Sequence, residues 1–161
     1  MKTIAYFVQL FVISLFVIGC SKNGEFKLLN GEDSSLDDYA GQWVIVNFWA
    51  EWCAPCLEEI PELNQIHRAG QKYNVSVLGV SFDPIANKTL KSTVAKLGFE
   101  YPVMATNPVP ILPFSLPESL PTNYIIAPNG EVVAKLVGTQ THESLLAALS
   151  KAKSALAKKE G

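Results

Sequence analysis

Cys53-Ala54-Pro55-Cys56 lies where one hydrophobic periodicity gives way to another. Upstream, the apolar, largely β-branched run Val44 to Trp49 fits a central strand buried on both faces. Downstream, Leu57, Ile60, Leu63 and Ile66 recur at helical spacing, with Pro55 in the first turn, where a helix tolerates proline. A strand therefore hands two cysteines to a helix N-terminus. That end carries partial positive charge and unpaired N–H groups, so the first cysteine ionises more readily than a free thiol. The thiolate is the form that attacks disulfides, and the arrangement suits reversible disulfide chemistry.

The chain holds three cysteines: Cys20, Cys53 and Cys56. With Cys20 accounted for separately below, one pair remains and none is left for a structural disulfide framework. Half of a zinc site is the alternative reading of a Cys-x-x-Cys pair. Zinc usually takes four ligands, however, and the two histidines, His67 and His142, stand far apart in no ligand-like spacing. No metal is expected.

Met1-Lys2-Thr3 precedes an uncharged, strongly apolar stretch from Ile4 to Ile18. As a helix it would span ~22 Å, short of a ~30 Å hydrocarbon core. A charged start, a short apolar region and a small-residue boundary describe an export signal. The boundary Val17-Ile18-Gly19-Cys20 resembles a bacterial lipoprotein signal, with cleavage before Cys20 and lipid attached to it. An uncleaved N-terminal anchor is the alternative. Either places the rest outside the cytoplasm beside a membrane, as a periplasmic or cell-surface protein. The predicted organisation is a signal peptide over 1–19, a lipidated tether over 20–25 and a folded domain over 26–161. At ~140 residues that remainder has the size of one domain. A net charge of −2 with 17% charged residues gives no electrostatic case for nucleic acid.

Within the domain, Phe26 to Leu29 reads as a short strand ending at Asn30-Gly31, and Ser34 to Tyr39 as a capped helical turn. The helix after Cys53 should kink at Pro61 and close at Gly70. Val75 to Phe82 is a strand, Thr89 to Leu97 a helix, and Phe99 to Met104 extended. Thr122 to Ala127 and Glu131 to Val137 flank Pro128-Asn129-Gly130, a hairpin signal. A last helix runs from about Thr141 to Lys158 with Leu145, Leu146, Leu149 and Leu156 on its apolar face. A parallel βαβ pair and a terminal hairpin in one sheet, covered by helices, make an α/β sandwich. Residues 107–121 hold five of the ten prolines, which precludes regular helix or sheet. Their apolar neighbours Val109, Ile111, Leu112, Phe114 and Leu116 form either a lip for a protein substrate or a rigid cover over the sheet end.

The stretch Val46 to Cys56, with Pro61 five residues later, resembles the thioredoxin superfamily. Cys56-Leu57-Glu58-Glu59-Ile60-Pro61 is similar to the pattern of the TlpA/ResA-type membrane-anchored thiol–disulfide oxidoreductases. Leu120-Pro121-Thr122 resembles that fold's cis-proline loop, and Gly138 a glycine after its last strand. The resemblance covers roughly Phe26 to Lys153 and implies a thioredoxin-like three-layer α/β/α sandwich around a central mixed sheet. Cytoplasmic thioredoxins carry a buried aspartate where this chain has Asn47, which exchanges no proton. The TlpA/ResA group instead uses a glutamate at the position of Glu59. That residue lies three after Cys56 on the same helix face.

The resemblance implies an exposed nucleophile at Cys53 and a buried resolving thiol at Cys56, with no cofactor beyond their disulfide. Glu59 would take the Cys56 proton, with a pKa raised above ~4.3 by partial burial. Trp52 would wall the site, while Trp49 packs in the core. Pro121, if cis, would set the Leu120 backbone beside Cys53 for pairing with an extended substrate, with Thr122 contributing to the same contact. The implied function is reduction of protein disulfides by a monomer, fed by a membrane thiol donor and serving cytochrome c maturation or related thiol maintenance. A thiol peroxidase on the same fold is one alternative, although Ala50 stands where those proteins carry a hydroxyl residue. A copper- or zinc-handling module is another, although the cysteine spacing is one residue short of the copper-delivery relatives.

Overall fold

The computed structural model describes residues 24–160. The signal segment 1–19, Cys20 and most of the tether lie outside the described residues.

Strand β1 (Glu25–Lys27) pairs antiparallel with β2 (Asp33–Ser35), so regular structure starts within the expected tether. A 3-10 turn over Leu36–Tyr39 follows, and the Asp38 carboxylate accepts the Ser35 N–H at 2.7 Å. Next come β3 (Trp43–Trp49), α1 (Ala54–Arg68), the short α2 (Gly70–Tyr73), β4 (Val75–Ser81) and α3 (Asn87–Leu97). Strands β5 (Thr122–Ile126) and β6 (Val132–Val137) form the hairpin, and α4 (His142–Glu160) ends the described chain. The main sheet has the order β4-β3-β5-β6, with β3 parallel to β4 and antiparallel to β5. The extended segment after α3 joins its edge through a bridge from Val103 to Gly79, and Leu28 bridges to Met104 beyond it.

All seven residues of β3 are buried, as an apolar run between two covered faces requires. Its side chains sort by parity. Trp43 and Ile45 share a core with Leu63 and Ile66 of α1 and with Leu145 and Leu149 of α4. Val44, Val46 and Phe48 pack with Phe26, Leu36, Leu78, Met104 and Tyr124 on the other face. Much of the cover there comes from β1, the 3-10 turn and the proline-rich segment. Leu112 and Phe114 pack against that core, with Phe114 stacked on Tyr124 at 4.4 Å. Val109, Ile111 and Leu116 point outward. The segment thus both covers the sheet and presents an apolar edge. Asn87 holds its start by accepting the N–H groups of Thr106 and Asn107, each at 3.1 Å.

Helix α1 contains Pro61 and runs to Arg68. One local expectation changes. Gly70 does not close the helical region but opens α2. The cap falls at Asn74, which takes the left-handed conformation with φ 51°. Glycine is needed at position 70 for space: a Cβ there would stand 2.7 Å from the Val75 carbonyl oxygen. Gly70→Ala should therefore lower stability by about 1–3 kcal/mol, because backbone must yield. A chemical denaturation midpoint unchanged from wild type would contradict this.

Candidate functional site

Cys53 caps the N-terminus of α1 and is joined to Cys56 by a disulfide. The Cys53 carbonyl accepts the N–H groups of Cys56 and Leu57 at 2.9 and 3.2 Å, winding the first turn around the sulfurs. Trp49, Ala50 and Leu90 enclose the pair, with Leu57, Ile85 and Leu120 packed around them. Cys53 was expected to be exposed, but it is only 5% accessible, against 1% for Cys56. Leu90 of α3 and Leu120 of the proline loop supply that cover from distant parts of the chain. Cys53 is still the more open of the two.

The walls fall largely where expected. Trp52 is 67% exposed, and its indole N–H donates to Asp83 at 2.7 Å, which fixes the ring beside the disulfide. Trp49 is buried in the core, its ring 4.6 Å from that of Phe99. The Leu120–Pro121 bond is cis, as is Asn107–Pro108, which nothing in the sequence suggested. Thr122 departs from expectation: it is fully buried, and its hydroxyl donates to the Ser119 carbonyl at 2.8 Å. Its side chain thereby ties the start of β5 to the proline loop. Beyond Trp52, an apolar groove of about 410 Å³ is lined by Phe82, Pro84, Val109, Ile111, Phe114 and Leu116 among others.

Glu59 lies on α1 one turn beyond Cys56 and is wholly inaccessible, whereas Glu58 is exposed. Helix geometry sets this: position 59 faces the sheet with Cys56 and Ile60, and position 58 turns outward. Beneath Glu59 runs a row of paired residues across three strands, Gly79 on β4, Asn47 on β3 and Asn123 on β5. Asn47 donates to Glu59 Oε2 at 3.0 Å and to Asn123 Oδ1 at 3.0 Å. Asn123 donates to Glu59 Oε1 at 2.7 Å, and the Gln140 backbone N–H reaches the same oxygen at 2.9 Å. The Tyr101 hydroxyl donates to Asn47 Oδ1 at 3.2 Å. Gly138, at φ 89°, donates its N–H to the Pro121 carbonyl at 2.9 Å, so the turn that carries Gln140 is tied to the proline loop.

Burial pushes the Glu59 carboxyl up from an ordinary 4.5 to about 7, against the pull of the Gln140 N–H and the Asn123 and Asn47 amides. Asn47, identified from the sequence only as a residue unable to titrate, is the hub of this network. Asn123, Gln140 and Tyr101 were not anticipated. The signal for Asn123 was present: like Asn47, it is an amide inside an otherwise apolar strand. Among the described residues no group of three or more His, Cys, Asp or Glu side chains is placed to hold a metal.

A carboxyl whose pKa is higher folded than unfolded binds more protons in the native state. Stability must then fall as pH rises from about 4.5 through about 7 and level off above it. The Glu59 contribution to that fall is on the order of 3 kcal/mol at most. Denaturation of the oxidised protein should show Glu59→Gln flattening the loss of stability between pH 5 and 8. Parallel curves for the two proteins would refute the burial argument.

Residues 21–135 match the AhpC/TSA family. The thiol-disulfide oxidoreductase ResA of Geobacillus thermodenitrificans is 32% identical over 118 residues, which span 73% of this chain and 67% of that protein. ResA of Bacillus subtilis is 29% identical over 117 residues, covering 73% of this chain and 64% of that protein. The exposed lipoprotein thioredoxin of Streptococcus pneumoniae strain TIGR4 is similar in structure, with a TM-score of 0.64 at 25% identity over 79% of this chain and 97% of that one. The expected thioredoxin-like α/β architecture is the one observed, and a Cys-x-x-Cys disulfide stands at its helix N-terminus. The chain belongs to the AhpC/TSA family of the thioredoxin superfamily and, within it, to the ResA-like thiol–disulfide oxidoreductases.

Proposed function

We propose that this oxidoreductase works outside the cytoplasm, tethered to a membrane by lipid on Cys20, and that its net direction is reduction of protein disulfides. The observation that carries the reading is the carboxyl of Glu59, buried one helical turn beyond Cys56 and poised at about 7. Disulfides form readily outside the cytoplasm, so substrates that must stay reduced need a dedicated reductant. Haem-binding cysteines of an apocytochrome c are the substrate class in view. The uncharged run Ile4–Ile18 ahead of Gly19-Cys20 supports the tether.

Starting from the dithiol, the Cys53 thiolate attacks a substrate disulfide. A mixed disulfide forms and one substrate thiolate leaves. Ionised Glu59 takes the proton of Cys56, directly or through a water. The Cys56 thiolate then attacks Cys53, releasing the second substrate thiolate and closing the Cys53–Cys56 disulfide, and Glu59 returns its proton to solvent, from which the departing thiolate is protonated. Two electrons pass to the substrate, and a membrane dithiol carrier restores the pair at the expense of its own oxidation. The Leu120 backbone beside cis Pro121 offers an edge to the extended substrate, and Trp52 bounds it.

Cys56→Ala should accumulate mixed disulfides on Cys53 that dithiothreitol releases, with exported cysteine proteins as the captured partners; Cys53→Ala should capture none. A catch consisting of cytoplasmic proteins would overturn the location, and capture through Cys56 would reverse the order of attack. Well-placed acid–base assistance contributes ~10²–10⁴-fold. Glu59→Gln should therefore slow disulfide exchange at least about tenfold with the fold intact, while Glu58→Gln stays near wild type. Equal rates for the two variants would leave the proton to solvent.

A further inference from the structure

We propose that Tyr101 is a positioning residue for proton transfer at the dithiol: its hydroxyl fixes the amide of Asn47 so that the donor end, not the carbonyl end, meets Glu59. This rests on the role proposed above for Glu59.

An asparagine side chain is nearly symmetric in shape, and a half-turn exchanges its oxygen and nitrogen. Two neighbours of Asn47 bear directly on the choice. Glu59 Oε2 and Asn123 Oδ1 both require donors, and Nδ2 supplies one hydrogen to each at 3.0 Å. This leaves Oδ1 pointing into a dry interior, where an unpartnered carbonyl is costly. The Tyr101 hydroxyl meets it at 3.2 Å. Burial and the Glu59 charge hold the Tyr101 hydroxyl well above its ordinary range, so it remains a proton-bearing donor wherever disulfide exchange is measured.

The position of the hydroxyl is itself built in. The Tyr101 ring packs against Phe99 at 5.1 Å and stands 6.4 Å from the His67 ring. It passes over Gly79, the β4 partner of Asn47, where a Cβ would come within 3.2 Å of Tyr101 Cε2 and 3.0 Å of Val103 Cγ2. Glycine at 79 is what lets the ring reach the row of amides.

Tyr101 is also the titratable group that faces Glu59 from the 99–104 segment. Cys56, on the same helix, does not titrate in the disulfide form. Asn47 from β3, Asn123 from β5 and the Gln140 backbone before α4 are neutral. Glu62, further along α1, turns its carboxylate to the His142 N–H at 2.7 Å. With Tyr101 removed, Asn47 Oδ1 loses its partner in the buried interior, the amide shifts to find another, and its hold on the Glu59 carboxylate weakens. The carboxyl must then hold its proton to higher pH.

The test is a ¹³C NMR titration of the Glu59 side-chain carboxyl in the oxidised full chain, run beside disulfide-exchange rates from pH 5.5 to 9. Wild type should show a midpoint near 7. Tyr101→Phe, which keeps the ring, should raise it by at least about half a unit, and the inflection in the exchange rate should rise with it. Gly79→Ala, which displaces the ring but keeps the hydroxyl, should move it in the same direction and serves if Tyr101→Phe fails to fold. The double variant Tyr101→Phe, Glu59→Gln should match Glu59→Gln in its rate profile. A Glu59 midpoint that does not move in either single variant overturns the positioning role of Tyr101. A midpoint that moves while the rate profile stays fixed upholds the positioning but removes Glu59 from the reaction.

Discussion

Desolvation of one carboxyl group sets the terms for the rest of this site. Removing an ionised carboxylate from water is costly, and a protein that does so must offer donors or let the group keep its proton. This fold does both in part. Three N–H donors from three separate segments converge on Glu59, yet burial still lifts its carboxyl to about 7. Each donor depends on architecture. Asn47 and Asn123 meet only because β3 and β5 pair in register, and Gln140 arrives only because the chain turns at Gly138. The sheet order thus serves a purpose beyond packing: it assembles a polar row on an otherwise apolar face, directly under the helix that carries the cysteines.

The same helix sets the dithiol and the carboxyl side by side. Cys53 sits at the cap, Cys56 one turn in, and Glu59 one turn further, so a single rigid element fixes all three along one face. Trp52 and Leu120 stand around the cap and are held separately, Trp52 through Asp83 and Leu120 through the proline loop. The loop in turn is fastened by Phe114 on Tyr124 and by the Tyr124 hydroxyl on the Ser115 carbonyl at 3.1 Å. The surface around the disulfide is thus built from parts held separately rather than by one another.

Local chemistry was legible in the sequence, and long-range pairing was not. The change from strand to helical periodicity at Cys53 follows from spacing, the hairpin at Asn129-Gly130 from its turn residues, and the place of Glu59 on the Cys56 face from spacing together with the family resemblance. Asn47 and Asn123 are each an amide within an apolar run, but nothing local says that β3 and β5 pair so as to bring them together. Gln140 contributes a backbone N–H, which no side-chain pattern reveals. Gly70 looked like a helix stop because glycine commonly is one; its actual constraint, the carbonyl of Val75, depends on the path of α2. The resemblance implies an exposed Cys53, whereas its cover comes from Leu90 and Leu120, 37 and 67 positions later in the chain. The proline-rich segment resisted a choice between cover and lip because alternate residues do each.

The neutrality of the groups around Glu59 has a consequence for its chemistry. A lysine or arginine in place of Asn47 would pair with the carboxylate and draw its pKa down, leaving a weak base. A second carboxylate there would couple to Glu59, and the two would release protons in steps belonging to neither alone. Amides avoid both outcomes: they supply hydrogen bonds without adding a charge or a second titration. In the oxidised form Glu59 therefore titrates nearly as a single site. Reduction places the Cys56 thiol one helical turn from this carboxyl.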